Sequence, residues 1–158
     1  MILKTQKRLR LCVILLVMNI AFIWGNSVLP ASASGALSAW LKDLLAAIFP
    51  SAGGQTQGDG LLRKVAHFTE FLALGVLFSC LYGMYRKKLW EAVTLSLACG
   101  FIVACVDETI QIFSPGRNPS LFDVGIDTCG ATVGISLLWA GYTIYKKRKI
   151  KIFGGKQQ

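Results

Sequence analysis

Charge is scarce in this chain, and acid is scarcest of all. Only 16% of its 158 residues are charged, and 17 Lys and Arg stand against 8 Asp and Glu. Soluble domains usually carry about 25% charged residues. The deficit excludes a disordered acidic chain and argues against an ordinary soluble enzyme domain. The formal net charge of +9 does not make a nucleic-acid binder, because the basic residues would have to line one soluble face. Histidine occurs once, at position 67, and no Cys-x-x-Cys is present, so the common zinc frameworks are missing. Cys12, Cys80, Cys99, Cys105 and Cys129 are an odd set inside apolar stretches. They read as small buried hydrophobes, and only Cys105 and Cys129 share a depth that would let them pair. No internal repeat is visible, which disfavours a repeat-built transporter.

What the chain has instead is long apolar runs, with 54% of its residues hydrophobic. The length allows about one domain, taken as residues 1–158, with four or five spans of roughly 20 residues each. The first run, 11–29, follows Lys4, Lys7, Arg8 and Arg10 and is interrupted by Asn19, Asn26 and Ser27. A basic start, an apolar centre and Ala31-Ser32-Ala33 also fit a cleaved signal peptide. The run is nevertheless long enough to span and is read as a helix. Over 36–49, Ala36, Leu37, Trp40, Leu41, Leu44, Leu45, Ile48 and Phe49 recur at helical spacing around Ser38, Lys42 and Asp43. This amphipathic stretch is too short to span and is expected to lie along the membrane surface. Further spans are expected at 65–85, 90–113 and 121–145. Arg86-Lys87-Lys88 makes a basic turn between two of them, and the Pro- and Gly-bearing 114–120 segment makes another.

Thirteen of the 17 basic residues fall before the first span, in the 86–88 turn or in the C-terminal tail. The positive-inside rule then places both termini in the cytoplasm. Seven of the 8 acids fall on the opposite side or in the outer half of a span. The expected fold is an all-α integral membrane bundle of four transmembrane helices, with one interfacial helix outside. The basic tail is expected to meet anionic lipids. Most Trp and Tyr residues sit where an interfacial belt would. Gly130-x-x-x-Gly134 reads as a stripe for close helix approach, with contact between copies as the alternative.

Depth brings the polar residues together. Lys64, His67, Glu70 and Phe71 share one helix face by their spacing. Asp107, Glu108 and Gln111 sit at matching depth on the next span, and Asp123 and Asp127 on the last. Intramembrane charges are costly and turn toward the bundle interior or a wet cavity. One shared, outward-opening pocket is the economical arrangement, with Arg117 near its rim.

These segments resemble a known family. Leu62-Arg63-Lys64-Val65-Ala66-His67-Phe68-Thr69-Glu70-Phe71, followed by Leu74 and Gly75, resembles the first signature of VanZ-like membrane proteins. Asp107-Glu108-Thr109-Ile110-Gln111 resembles the second. Phe113-Ser114-Pro115-Gly116-Arg117, then Asp123, Asp127, Gly130 and Gly134, resembles the third. Ser27 and the serines at 32, 34 and 38 resemble the family's serine-bearing stretch after the first span, which favours a retained first helix. One departure is Phe71, where many members carry Tyr. The resemblance implies a cell-envelope protein of a Gram-positive type of bacterium, associated with tolerance of teicoplanin and related glycopeptides. It supplies no reaction and no cofactor.

Two classes of function stay open on this reading. In one, the pocket binds or handles an envelope lipid, a wall precursor or a glycopeptide-type molecule, with Lys64, Gln111, Arg117, Asp123 and Asp127 lining it. In the other, His67, Glu70, Asp107 and Glu108 perform acid–base chemistry on a lipid-linked substrate. A metal held by His67, Glu70, Asp107 and Asp127 is a further alternative. Arg117 offers a two-pronged donor for phosphate or carboxylate. A purely structural charge network is the competing explanation for all of these residues. The topology is directly testable. A reporter active only outside the cytoplasm is expected to work when fused after Arg117 and to fail after Lys88 or Gln158; the opposite pattern overturns the orientation.

Overall fold

In a computed structural model, the structure describes residues 2–30, 33, 59–86 and 88–154. The expected interfacial helix at 36–49 lies outside the described residues, as do Lys87 and Trp40. Among the described residues, four helices carry the fold: α1 (Ile2–Val28), α2 (Asp59–Tyr85), α3 (Leu89–Ile112) and α4 (Leu121–Gly154). All four are long and apolar enough to cross a membrane, over Gln6–Val28, Arg63–Tyr85, Leu89–Ile112 and Leu121–Lys149. No strand occurs among the described residues.

Local chemistry sets the helix ends. Glu91 sits in the first turn of α3, where a carboxylate favours the helix dipole. At its other end the Phe113 N–H donates to the Ile110 carbonyl and the Ser114 N–H to that of Gln111, both at 3.1 Å. Pro115 and Gly116 then turn the chain, and Gly116 takes a φ of 74°, a conformation that suits glycine. Ser120 caps α4: its Oγ accepts the Phe122 N–H at 3.1 Å, and its carbonyl accepts that of Asp123 at 2.9 Å. This is the usual serine role at a helix start. α4 runs past its apolar span, because Lys and Arg are good helix formers and favour a helix C-terminus.

Successive helices run antiparallel, so α2 and α4 lie parallel, and their contact is the most extensive in the bundle. Small residues permit it. A Cβ on Gly130 or Gly134 would run into the carbonyls of Phe68 and Leu72, and one on Gly75 into that of Ala131. The Gly130/Gly134 stripe is therefore spent on α2 of the same chain. Association between copies through it would have to displace α2. α1 packs on α2 and α3.

The core is thin, formed by Leu16, Ile23, Phe71, Leu74, Phe78, Val103, Ala104 and Val124. Leu11, Met18, Phe22, Ile102 and Leu137 face outward and are more than half exposed. Such a surface is unsuited to water and suited to lipid. Tyr85, Trp90, Tyr142 and Tyr145 are also exposed. Trp24 departs from the belt and packs on the core. The cysteines depart from the buried reading as well. Only Cys12 is buried, Cys80, Cys99 and Cys105 are half-buried, Cys129 is exposed, and all five are free. A thiol costs little on an apolar outer face, so burial was not required of them.

The glycine contact has a measurable consequence. Gly134→Ala is expected to destabilise the bundle by about 1–3 kcal/mol through overpacking, read by unfolding in detergent. Gly141→Ala, where a Cβ meets nothing within 4 Å, is expected to be neutral or slightly stabilising. Equal stability of the two variants contradicts the close approach.

Candidate functional site

At the end of the bundle where α1 and α3 finish, α2 and α4 begin, and every expected site residue gathers there. A frame of satisfied groups comes first. Gln111 Nε2 donates to Asp107 Oδ2 at 2.9 Å and to Glu108 Oε1 at 3.1 Å. Glu108 Oε2 accepts the backbone N–H of Ser120 at 2.9 Å. Glu108 thus ties the end of α3 to the start of α4 and has little freedom to act as an acid or base. Ser114 Oγ donates to the Ser27 carbonyl at 2.6 Å, joining the 113–120 turn to α1.

Arg117 is placed differently from its expected rim position. It is only 7% exposed. Its Nη2 donates to the Asn26 carbonyl at 2.7 Å and its Nε to the Leu29 carbonyl at 3.3 Å. The physical reason is that the last carbonyls of a helix have no partner within it, and a basic side chain satisfies them. Burial, and then the charge of Arg63, press the Arg117 pKa below the usual guanidinium value; Asp107, Glu108 and Glu70 pull it back up.

The mouth is closed by a second pair. Lys64 Nζ lies 3.1 Å from Asp123 Oδ1, and both side chains are partly exposed. The same ammonium stands 4.9 Å from the centre of the Phe122 ring, within cation–π range.

Inside this frame sits a centre whose polar atoms are not satisfied. His67 Nδ1 lies 3.8 Å from Asp107 Oδ2 and 4.0 Å from Glu70 Oε2, too far for a hydrogen bond. Asp107 and Asp127 are 0% and 2% exposed. His67 Nδ1, Glu70 Oε2, Asp107 Oδ1 and Asp127 Oδ2 have no hydrogen-bond partner. Glu70 is held by one bond, accepted at Oε1 from Asn26 Nδ2 at 3.0 Å. A cleft lined by Arg63, Lys64, His67, Glu108, Gln111, Asp123, Ile126 and Asp127 opens onto this centre. Its water-accessible volume is about 10 Å³, the room of about one water molecule.

With the geometry in place, comparison with known proteins adds one result. The family model described as VanZ/LLP1 matches residues 9–145. The chain belongs to the VanZ/LLP1 family. With its four helices long and apolar enough to cross a membrane, it is a multi-pass membrane protein of VanZ type. The match begins within α1 and takes in every residue of the site just described. No curated protein and no solved structure matches the chain.

Two contributors to this VanZ-type site escaped sequence reasoning. Asn26 appears there only as an interruption of an apolar run and Ser27 only as that and as one of a family-like run of serines, yet Asn26 holds Glu70 and Ser27 is fully buried with its hydroxyl near Asp107. Their signal was available: two polar residues within a span, at the depth where the acids lie. Of the expected residues, His67, Glu70, Asp107 and Asp127 meet at the centre. Glu108, Gln111 and Arg117 build the frame, and Lys64 and Asp123 close the mouth.

The role of Arg117 as a tether can be tested apart from any ligand. Arg117→Gln is expected to destabilise the bundle by about 2–4 kcal/mol, because it removes a charged donor from buried carbonyls. Arg117→Lys restores the charge without the fork and is expected to recover only part of the loss. Unchanged thermal stability in both variants contradicts the tether.

Proposed function

We propose that this VanZ-family protein sits in a bacterial cell membrane with the site end outward, where it handles the polar end of an envelope lipid or lipid-linked wall precursor. The observation that carries this reading is the contrast between frame and centre. A polar network that only holds helices together satisfies its own members. Here each frame residue is tied by two hydrogen bonds, with only Arg117 Nη1 left over among them, while the centre keeps four buried atoms without partners around His67. Such atoms await a group from outside the chain.

The size of the cleft narrows the choice. Space for about one water molecule in the cleft beside His67 and Asp127 admits a small polar group and excludes a whole glycopeptide. Any effect on teicoplanin-type antibiotics then arises through the lipid or precursor that they meet, rather than through capture of the drug in the centre. Arg63 and Lys64 line the mouth and suit an anionic headgroup arriving along the bilayer. The basic residues at the opposite end hold the protein on anionic lipids of the inner leaflet.

A second reading, a membrane-embedded acid–base enzyme, is favoured by one observation. His67 lies within 4.0 Å of both Glu70 and Asp107, so an imidazole stands beside two carboxylates and can exchange a proton with a bound group.

Substitution distinguishes these readings. Glu70→Gln and Asp107→Asn are expected to abolish the envelope phenotype, measured as glycopeptide tolerance, while expression and membrane insertion persist. Loss of expression in both variants, with no functional defect in the protein that remains, assigns the cluster a structural role. Lipid and precursor profiles of cells carrying His67→Ala then separate chemistry from binding. A product that disappears supports the enzyme; unchanged profiles with lost tolerance support handling by binding alone.

A further inference from the structure

We propose that His67, Asp107 and Asp127 form a binding site for one divalent metal ion. The three residues come from three helices, α2, α3 and α4, and each offers a ligand atom within 4.8 Å of the others. A tetrahedral site with bonds near 2.1 Å has ligand edges of about 3.4 Å. The set closes onto an ion with inward movements of about an ångström, within reach of small side-chain rotations. Glu70, expected from its sequence position among the ligands, is left outside this group. It lies on the same side of the imidazole, 4.0 Å from Nδ1, where it can accept a proton from a water on the ion.

A cluster of acids alone would carry little weight, but two further observations point to a cation. The first is the state of the ligand atoms. Asp127 Oδ2 and Asp107 Oδ1 are unpartnered although both residues are almost wholly buried. Asp107 is also oriented: Gln111 holds its Oδ2 at 2.9 Å, and the buried Ser27 hydroxyl is a donor close to the same carboxyl. Holding one oxygen of a ligating carboxylate is what an outer-shell partner does in metal sites.

The second is charge. Among the described residues, Lys64 is paired with Asp123, and Arg117 donates to α1 carbonyls through Nη2 and Nε, leaving only its Nη1 unpartnered. No described Lys or Arg nitrogen lies within 4.0 Å of a carboxylate oxygen of Glu70, Asp107 or Asp127. Buried carboxylates without a cation are costly and normally pair or coordinate a metal. The water-sized space beside His67 and Asp127 fits a bare ion and fits no organic cation.

The donor set of one imidazole and two carboxylates suits Zn²⁺, Mn²⁺ or Fe²⁺. Three protein ligands leave a coordination position open, and the adjoining cleft lets a water or a phosphate oxygen reach it. This gives the carboxylate-rich pocket a means of holding an anionic headgroup that the acids alone would repel. The proposal rests on the reading of this pocket as the working site only in that last step.

The test uses the full-length protein, tag removed, in detergent micelles, stripped of metal and equilibrated with Mn²⁺ or Zn²⁺. After desalting, elemental analysis is expected to find about one ion per chain, as in other single-ion sites. His67→Gln and Asp127→Asn are expected to lower retention by at least about tenfold, the scale of even outer-shell losses. Cys129→Ser is expected to retain the ion. In the native protein, bound Mn²⁺ is expected to show hyperfine coupling to a single imidazole nitrogen by pulsed electron paramagnetic resonance. That reading stands even where a variant fails to fold. Absence of retained metal, metal without nitrogen coupling, or zinc lost only with Cys129→Ser overturns the proposal. Metal bound as described, in a protein whose Glu70→Gln and Asp107→Asn variants keep full tolerance, leaves the metal site standing and removes the envelope reading. Lost tolerance without metal does the reverse.

Discussion

The close approach of α2 and α4 is the constraint on which the site depends. Gly130 and Gly134 press against the carbonyls of Phe68 and Leu72, and Gly75 against Ala131. Phe68 follows His67 directly, and Gly130 is one turn beyond Asp127. The contact that sets the spacing of the two backbones therefore lies beside the two residues that must meet across it. In lipid there is no hydrophobic gain from bringing helices together, and packing of small residues does that work. Without the glycines the helices would stand apart by the width of a side chain, and His67 and Asp127 would no longer share one centre.

Polar residues in this bundle fall into two populations with different physical standing. Gln111, Glu108, Ser114, Arg117 and Ser120 trade hydrogen bonds among helix ends and loops, and their partners are largely backbone groups. They fix where each helix starts and stops. His67, Glu70, Asp107 and Asp127 are carried on the helices so positioned and each keep an unpaired atom, which in the first population only Arg117 does. Ordering groups that do not satisfy one another costs stability, and only the rigidity of the frame and the glycine contact sustain it. The division explains why one acidic pair, Asp107 and Glu108, adjacent in sequence, splits between the two populations. Successive helical residues point about 100° apart, so one faces α2 and the other faces α4.

Much of this was legible in the sequence. The apolar runs marked four helices, and the depth of His67, Glu70, Asp107, Asp123 and Asp127 placed them at one end. Periodicity and depth are properties of each helix alone, so they could be read one helix at a time. The partner of a long side chain is not such a property. Arg117 looked like a rim residue because the sequence marks where its loop and α1 end but not that the two ends lie side by side. Asn26 looked like an interruption because an apolar run was measured by its composition and not by what lay opposite. Glu108 looked equivalent to Asp107 because spacing along one helix does not say which neighbour each residue meets.

The Arg117 tether carries a consequence for how the protein tolerates change. Its acceptors are the main-chain oxygens of Asn26 and Leu29, and every amino acid presents that oxygen. Replacing the Leu29 side chain leaves the acceptor in place, whereas replacing Arg117 removes the donor fork outright. The link between α1 and the 113–120 turn is thus indifferent to sequence on one side and exacting on the other. Drift at the end of α1 can proceed without loosening the grip, so the first helix can be retuned toward a different bilayer while the loop arginine stays as it is.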